Sequence, residues 1–228
     1  MSNLPTIAIQ NLQHSFGKGN LQKPVLIDIN LSINPGEIVI LTGPSGSGKT
    51  TLLTLIGALR SMQTGSLKIL DQELLGASQK QLVQIRSQIG FIFQAHNLLK
   101  SLMAWENVSM PLKLHPQVKN RRERAIAILG AVGLSDRTHY YPDNLSGGQQ
   151  QRVAIARALV SQPQLILADD PTAALDSKSG REIVTLMQGL AKERSCAILI
   201  VTHDNRILDV ADRLIQMEDG LIVQNEVA

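Results

Sequence analysis

Two stretches of the sequence carry residues whose types and spacing suit phosphate chemistry. The first, GPSGSGKT at residues 43–50, fits the pattern G-x-x-x-x-G-K-[ST]. Its glycines allow the backbone to turn its N–H groups toward phosphate oxygens, and the helix that follows adds a positive N-terminus. Lys49 should reach the β- and γ-phosphates, and the hydroxyl of Thr50 should bind Mg²⁺. The predicted nucleotide-binding residues here are Gly43, Pro44, Ser45, Gly46, Ser47, Gly48, Lys49, Thr50 and Thr51.

The second stretch, LILADD at residues 165–170, is an apolar run that ends in two adjacent aspartates. A nucleotide-binding loop needs a carboxylate to hold its metal ion, and that carboxylate usually ends a nearby buried strand. Asp169 meets this requirement, so Asp169 and Thr50 are predicted Mg²⁺ ligands. One carboxylate indicates a metal ion. The second carboxylate, Asp170, indicates that the site also catalyses a reaction.

The elements around these stretches must bring them together at one edge of a sheet. The apolar runs EIVILTG, LILADD and CAILIVTH predict parallel strands buried on both faces, and KTTLLTLIGALR at residues 49–60 predicts a helix. TIAIQNLQ and LIDINLSI alternate, which is typical of half-buried antiparallel strands. Residues 97–163 are mostly helical in pattern, with weak strand signals. Together these patterns predict an α/β fold with three parts: a mainly parallel core, an antiparallel β subdomain and an inserted helical subdomain. With the loop at residues 43–50, the core resembles that of a P-loop NTPase (RecA-like).

Composition and charge limit the domain size, the partners and the cellular compartment to be expected. The 228 residues are enough for one domain with a large core, and a net charge of +3 does not indicate a nucleic-acid partner. The single cysteine, Cys196, starts an apolar run and is predicted to be a buried, inert thiol in a reducing compartment. No apolar run approaches the roughly 20 residues that span a bilayer, and no secretory signal is evident. A cytoplasmic protein that reaches a membrane only through a partner is expected.

A third stretch, LSGGQQQR at residues 145–152, resembles the signature of ATP-binding-cassette (ABC) ATPases. The rest of that family's pattern follows in order along nearly the whole chain. The resemblance implies that Phe16 packs on adenine and that Gln94 is the Q-loop glutamine, a catalytic residue and a further metal ligand. It also implies that Asp176 belongs to the D-loop and that His203 is the switch histidine.

The residue types of the signature suit the binding of an anion. SGGQ is predicted to open a helix running through about Ser161, so its serine and glycine amides form a second anion site. In the family this site closes over ATP bound to another subunit, so the resemblance implies a homodimer that sandwiches two ATP molecules head to tail. The predicted signature residues are Leu145, Ser146, Gly147, Gly148 and Gln149.

Further stretches narrow the resemblance within the family. GPSGSGKTTLL, FIFQAHNLL and ENVSMPL are similar to the lipoprotein-release and macrolide-export branch. IGALRSMQTGSLKILDQEL and QAHNLLKSLMAWENV are most similar to the DevA-type ATPase of the cyanobacterial heterocyst glycolipid exporter. This implies an ATPase attached to the inner membrane through an integral permease subunit, with a periplasmic adaptor and an outer-membrane duct as further partners. Residues 98–108 would receive the permease.

Asp170 departs from the family, which normally has glutamate at this position. An aspartate carboxylate falls short by roughly 1–1.5 Å, and general-base catalysis depends on hydrogen-bond reach. Three interpretations stay open: Asp170 is the base and works through a small shift or an extra water, the chain binds ATP but hydrolyses it slowly, or the residue was changed to trap the ATP-bound state. We expect impaired but not abolished hydrolysis.

Two other classes of function remain as alternatives. A soluble ABC ATPase acting on DNA or ribosomes usually has a coiled-coil insertion or a second cassette, and this sequence has neither. A nucleotide-gated structural clamp would use ATP binding without turnover. The basic run at residues 119–124 is interpreted as the solvated start of a helix, and the remaining histidines show no metal-site spacing.

Overall fold

A computed structural model of the chain describes residues 4–227, without the side chains at positions 20 and 190. The strands are β1 (Ile7–Phe16), β2 (Lys23–Ile33), β3 (Ile38–Thr42), β4 (Thr64–Ile69), β5 (Gln72–Glu73), β6 (Ile89–Ile92), β7 (Leu165–Asp169), β8 (Ala197–Val201), β9 (Arg213–Glu218) and β10 (Leu221–Val227). The α-helices are α1 (Lys49–Ile56), α2 (Gln79–Ser87), α3 (Ala104–Ser109), α4 (Arg121–Ala131), α5 (Gly147–Leu159) and α6 (Ser177–Arg194).

A six-stranded sheet carries the predicted phosphate chemistry. Its strand order is β10-β9-β3-β8-β7-β6. Strands β9, β3, β8, β7 and β6 are parallel, and β10 pairs antiparallel with β9 through the turn at Asp219 and Gly220. Every residue of β8 is buried, as are the first four of β3 and β7, which agrees with strands covered on both faces. The carboxyl ends of β3, β7 and β8 therefore meet at one edge of the sheet.

The two faces of this sheet belong to two hydrophobic clusters. Alternate side chains of β3, β7 and β8, such as Ile40, Ala168 and Ile200, pack against the helices that follow β6. The intervening side chains, such as Leu41 and Leu167, pack against α1 and the second sheet. Burying one such aliphatic side chain contributes roughly 1.5–3 kcal/mol, so these layers fix the strands that position the site.

A four-stranded antiparallel sheet with the order β2-β1-β4-β5 covers α1. Strands β1 and β2 pair from Ile7 opposite Ile33 to Phe16 opposite Lys23, with a register shift where Asn11 has a φ of 47°. Together the two sheets and the helices form the mixed α/β fold that the sequence patterns predict.

Between β6 and β7 the described residues form helices and turns but no strand, so the weak strand signals there were wrong. Helix α5 ends at Leu159, two residues before the predicted end at Ser161. Helix α1 also ends early, at Ile56 and not at Arg60. Gly57 packs so closely on Phe91 that a Cβ would meet the ring at 2.5 Å, and Ala58 has a φ of 53°, which stops the helix.

Two further predictions concern burial and membrane contact. Cys196 is buried, and its burial raises the pKa of the thiol to about 12, as expected for an inert cysteine. Among the residues of the described range, no helix combines the length and apolarity needed to cross a membrane.

Candidate functional site

One cavity of about 550 Å³ lies at the carboxyl ends of β3, β7 and β8. It brings together most of the residues singled out from the sequence, although they come from five separate parts of the chain. Val25 and Val201 also line the cavity and add apolar surface to it, which no sequence pattern had indicated. The lining consists of Phe16, Val25, Ser45, Gly46, Gly48, Lys49, Thr50, Thr51, Gln94, Asp169, Asp170, Val201 and His203.

The loop between β3 and α1 has the backbone shape of a phosphate cradle. Gly43 has a φ of 139°, and a Cβ there would collide with the carbonyl of Met217. Gly48 has a φ of 103° and lies against the backbone of Val25, where a Cβ would be 2.9 Å from the carbonyl oxygen. Both positions require glycine. The first residues of α1 line the cavity, and the first N–H groups of a helix have no acceptors within that helix, which is the usual arrangement at an anion site.

Lys49 is held beneath this loop. Its ammonium donates hydrogen bonds to the carbonyls of Gly43 and Pro44, each at 2.8 Å, and to Ser47 Oγ at 3.4 Å. Burial lowers the pKa of Lys49, while the carboxylates of Asp170 and Asp169 act in the opposite direction. The ammonium group of Lys49 thus lies next to the phosphate-binding loop, and the two aspartates favour its charged form.

Thr50 and Asp169 meet across the cavity floor. The Thr50 hydroxyl donates to Asp169 Oδ2 over 3.3 Å. Burial raises the pKa of Asp169, the hydrogen bond from Thr50 lowers it, and the neighbouring Asp170 raises it. Gln94 lines the same cavity. A hydroxyl, a carboxylate and an amide oxygen are hard oxygen donors that fit Mg²⁺, whereas residues 4–227 contain no cluster of three His, Cys, Asp or Glu.

Asp170 lies on a sharp turn directly after β7. Its φ is 44°, and its N–H donates to the carbonyl of Val201 at 2.8 Å. Its carboxylate accepts the backbone N–H of His203, which follows β8. Aspartate is one of the few non-glycine residues that tolerate positive φ. Both residues therefore border the cavity from neighbouring strand ends.

Phe16 forms the far end of the cavity, at the last position of β1. Its side chain is 39% exposed. The guanidinium of Arg60 lies over its ring, 4.7 Å from the centroid, and the ring of His14 meets it nearly perpendicularly at 5.2 Å. The ring is thus supported by two neighbours while remaining accessible from the cavity.

The signature residues lie apart from this cavity: among the described residues that line it, none comes from 145–149. Ser146 caps α5 in a capping box, where Gln149 N–H donates to Ser146 Oγ and Ser146 N–H donates to Gln149 Oε1. A Cβ on Gly147 would meet no heavy atom within 4 Å, and one on Gly148 would lie 3.3 Å from the carbonyl of Ala174. The start of this helix therefore takes no part in the cavity that the phosphate-binding loop of the same chain lines.

Asp176 also serves as a helix cap. Its Oδ1 accepts the N–H of Ser179 at 3.0 Å at the start of α6, and this hydrogen bond lowers the pKa of the carboxyl group. The side chain is exposed, close to the segment that contacts Gly148. The predicted D-loop and signature thus lie side by side on one surface of the chain.

Two hydrogen-bond networks that the sequence did not indicate join the segments around the site. Arg157 on α5 donates to the carbonyls of His96 and Asn97, each at 2.6 Å, and so ties α5 to the loop after Gln94. Asp204 accepts from Thr172 and from Arg206, which joins the segments after Asp170 and His203. A lone arginine in the apolar run VAIARALV was the available signal for Arg157, but no local pattern marked the second network.

Comparisons with known proteins agree with this geometry. The family model described as "ABC transporter" matches residues 26–173. The macrolide export ATP-binding/permease protein MacB of Shigella sonnei is 43% identical over 223 residues, which cover 97% of this chain and 34% of that protein. The uncharacterized ABC transporter ATP-binding protein YvrO of Bacillus subtilis is 43% identical over 222 residues, which cover 96% of each chain. This chain therefore spans about a third of the first relative and nearly all of the second.

A solved structure is similar over almost the whole chain. The dimeric, post-hydrolysis ATP-binding cassette MJ0796 bound to ADP and Pi superposes with a TM-score of 0.92 at 39% identity, and the match covers 97% of this chain and 98% of that one. The structural similarity thus covers nearly the whole chain, including elements outside residues 26–173 that the family model matches.

Proposed function

Because this chain belongs to the ABC transporter family and is an ATP-binding ATPase domain of that family, we propose that it powers a membrane exporter through ATP-driven, head-to-tail dimerisation. One observation carries the proposal. The phosphate cradle with Asp169 and Asp170 lines one cavity, whereas the second anion site at Ser146 is outside it. Two copies facing each other would close each signature over the other's ATP, and the dimeric form of MJ0796 supports this arrangement.

In the proposed binding step, adenine stacks on Phe16 and the phosphates enter the cradle. The N–H groups of the loop and of α1 bind phosphate oxygens, and Lys49 exchanges the carbonyls of Gly43 and Pro44 for the β- and γ-phosphates. Thr50, Asp169 and Gln94 would hold Mg²⁺. When bound, the metal ion supplies positive charge that neutralises the phosphates.

In the proposed hydrolytic step, Asp170 accepts a proton from a water molecule. The oxygen of that water forms a bond to the γ-phosphorus, the bond to the β–γ bridging oxygen breaks, and ADP and inorganic phosphate result. Gln94 orients the water, and His203 contacts the γ-phosphate. Because the carboxylate of Asp170 is one methylene shorter than that of glutamate, we expect the proton transfer to be slower, but not abolished.

The exporter assignment rests on the relatives. MacB is by name a macrolide export protein with ATP-binding and permease functions, and this chain matches 34% of its length. We infer that an integral permease completes the transporter and carries substrate specificity. We propose a lipid or lipid-linked substrate on the resemblance to the DevA-type ATPase. A periplasmic adaptor and an outer-membrane duct would follow from the same branch.

The same proposal divides the chain into working parts. Residues 1–96 and 164–228 would form the catalytic core with its antiparallel β part, and residues 97–163 would form the helical signature subdomain; residues 1–3 and 228 lie outside the described range. Residues 98–108 would receive the permease at the cytoplasmic face of the inner membrane. Because Arg157 joins α5 to the loop after Gln94, motion of the signature helix would reach that surface directly.

A nucleotide-gated clamp is the second candidate. Asp170 in place of glutamate favours it, since its carboxylate is already engaged by the N–H of His203. Such a clamp would dimerise with ATP and show almost no turnover. Steady-state ATP hydrolysis measured beside dimerisation distinguishes a motor from a clamp.

The test of head-to-tail closure uses two serines in equivalent local settings. Ser146 caps α5 and Ser78 caps α2, each within a capping box. We expect Ser146→Arg to abolish the ATP-dependent dimer seen by light scattering while ATP still binds the monomer. Ser78→Arg loses the same kind of helix cap, worth about 1 kcal/mol, and should dimerise like the wild type. Equal effects of both substitutions would refute the role of the signature.

The exporter role needs its own measurement. The chain, expressed with an affinity tag in its native host, should co-purify from detergent-solubilised membranes with an integral membrane protein, and the permease should stimulate ATP hydrolysis. Recovery with ribosomes or DNA instead would support the soluble ATPase alternative.

A further inference from the structure

Residues 57–63, which connect α1 to β4, contact the end of β1 at Phe16 through hydrogen bonds and ring stacking. The N–H of Ser15 donates to Gln63 Oε1 at 2.7 Å, and Gln63 Nε2 donates back to the carbonyl of Ser15 at 2.9 Å. Three residues earlier, Arg60 places its guanidinium over the Phe16 ring, with Cζ 4.7 Å from the centroid. One short segment thus contacts both the backbone next to Phe16 and the ring itself.

The segment is fixed in this position by its own contacts. Helix α1 ends at Ile56, and the close packing of Gly57 on Phe91 turns the chain away from the helix axis. Arg86 on α2 donates to the carbonyl of Ala58 at 2.9 Å. The early end of α1 is therefore what brings Arg60 to Phe16, and a helix continued to Arg60 would not have this turn.

We propose that Arg60 is a nucleobase-positioning residue, which holds the Phe16 ring by cation–π stacking so that the face turned to the cavity is ready for a purine. This inference rests on the proposed function, in which Phe16 stacks on adenine. Phe16 lines the nucleotide cavity, whereas Arg60 is absent from the described residues that line it. The guanidinium therefore contacts the Phe16 ring without being part of the cavity lining.

The electrostatics favour the same role. A cation on one side of an aromatic ring draws π-electron density toward itself, which leaves the opposite face less negative for an electron-rich base. The ring of His14 meets Phe16 at 85° and restrains it from another direction. Burial, with the nearby charge of Arg60, lowers the pKa of His14, which disfavours a second cation in the cluster. Arg60 is the charged member of this trio.

If Arg60 positions the nucleobase, its loss should weaken the binding of adenine and leave the binding of the phosphates unchanged. ATP contains both groups, whereas inorganic tripolyphosphate contains only the phosphates. We would measure the affinity of the full chain for ATP and for inorganic tripolyphosphate by titration calorimetry, both with Mg²⁺. A cation–π contact at an exposed site corresponds to about a two- to fivefold change in affinity. We expect Arg60→Ala to weaken ATP binding by that factor and to leave tripolyphosphate binding unchanged. Arg60→Lys should lose part of the effect, because an ammonium does not stack as a plane.

Two controls make the result specific. In a Phe16→Ala background, Arg60→Ala should have no further effect on ATP affinity. Lys23, which lies directly opposite Phe16 in the pairing of β1 with β2, is an exposed cation on the neighbouring strand. Lys23→Ala removes an equal charge there and should leave the ratio of ATP to tripolyphosphate affinity at the wild-type value.

Other outcomes would overturn the inference in different ways. Equal losses for ATP and tripolyphosphate, or an equal loss in Lys23→Ala, would mean that Arg60 acts only as general positive charge. If Phe16→Ala weakens ATP binding but Arg60→Ala does not, only the role of Arg60 fails. If Phe16→Ala itself leaves ATP affinity unchanged, the assignment of Phe16 to the nucleobase fails, and the role of Arg60 fails with it.

Discussion

The backbone N–H of His203 donates a hydrogen bond to Oδ1 of Asp170 over 3.1 Å. Asp170 directly follows β7, His203 lies two residues after the neighbouring parallel strand β8, and the N–H of Asp170 in turn donates to the carbonyl of Val201. Asp170 Oδ2 accepts no hydrogen bond from any residue in the described part of the chain. The short carboxylate is thus anchored through one oxygen, and in the proposed hydrolytic step its other oxygen would accept the proton of the water.

The first prediction concerns Asp170→Glu. The added methylene extends the carboxylate by roughly 1–1.5 Å toward the γ-phosphate, and misplacement of a catalytic group by about 1 Å can cost on the order of 10²-fold in rate. We expect this substitution to raise kcat by up to about 10²-fold, measured as steady-state phosphate release with saturating ATP and Mg²⁺. A kcat equal to that of the wild type would mean that Asp170 reaches its water unaided.

Asp170→Asn is the matched control, because asparagine keeps the size and the tolerance of positive φ but loses the charge. It should lower kcat below the wild-type value while ATP still binds. Glutamate tolerates the φ of 44° less well, so Asp170→Glu should unfold more easily by about 1 kcal/mol or less in the absence of nucleotide. The glutamate variant would then be faster but slightly less stable.

The second prediction concerns Lys49→Met. This substitution removes the ammonium that would neutralise the β- and γ-phosphates, so ATP and tripolyphosphate should both bind at least about tenfold more weakly. It also leaves the carbonyls of Gly43 and Pro44 without their donor. Titration calorimetry with both ligands checks the result. A loss confined to ATP would contradict a role in phosphate binding.

The sequence predicts those features of the site that depend on local patterns. The spacing of residues 43–50 determines a loop and a helix start, and an apolar run before Asp169 determines a buried strand that ends beside them. Because parallel strands end at the same edge, the meeting of Thr50 with Asp169 follows from the fold class.

Features that depend on contacts between distant segments could not be predicted in this way. The apolar pattern of α1 continues through Gly57 and Ala58, but packing against Phe91 ends the helix at Ile56. The stacking of Arg60 on Phe16 follows from that early end. Propensity and periodicity describe one segment at a time, whereas these positions are decided by tertiary packing.

The third prediction concerns Arg157→Met. The guanidinium makes two short hydrogen bonds to the carbonyls of His96 and Asn97, and burial lowers its pKa. Hydrogen bonds to charged groups contribute about 1.5–3 kcal/mol each, less the gain from no longer burying the charge. We expect the free energy of unfolding to fall by about 2–3 kcal/mol, measured by urea denaturation.

Arg124→Met on α4 is its control. Arg124 has no side-chain hydrogen bond or ion pair to the described residues, so its loss should change stability by less than about 0.5 kcal/mol. Equal losses from the two substitutions would show that the bonds of Arg157 to the loop after Gln94 contribute nothing specific.

The last prediction is a pH dependence at Asp204. Hydrogen bonds from the Arg206 guanidinium, at 2.7 and 2.8 Å, are the main cause that lowers the pKa of Asp204 to about 2. Since this pKa lies below the ordinary value of 3.8, the unfolded chain binds the proton more tightly, and the carboxylate contributes its full stabilisation of the fold above about pH 4.

That contribution should disappear as the pH falls from about 4 to about 2. Asp204→Asn should therefore have a lower urea midpoint than the wild type at pH 6, and the gap should shrink steadily at pH 4 and pH 3. Arg206→Met removes the principal partner and should give a similar gap with the same pH dependence. Combining the two substitutions should add little, because they break one interaction. A gap that stays constant from pH 6 to pH 3 would show that the charge of Asp204 does not stabilise the link between the segments after Asp170 and His203.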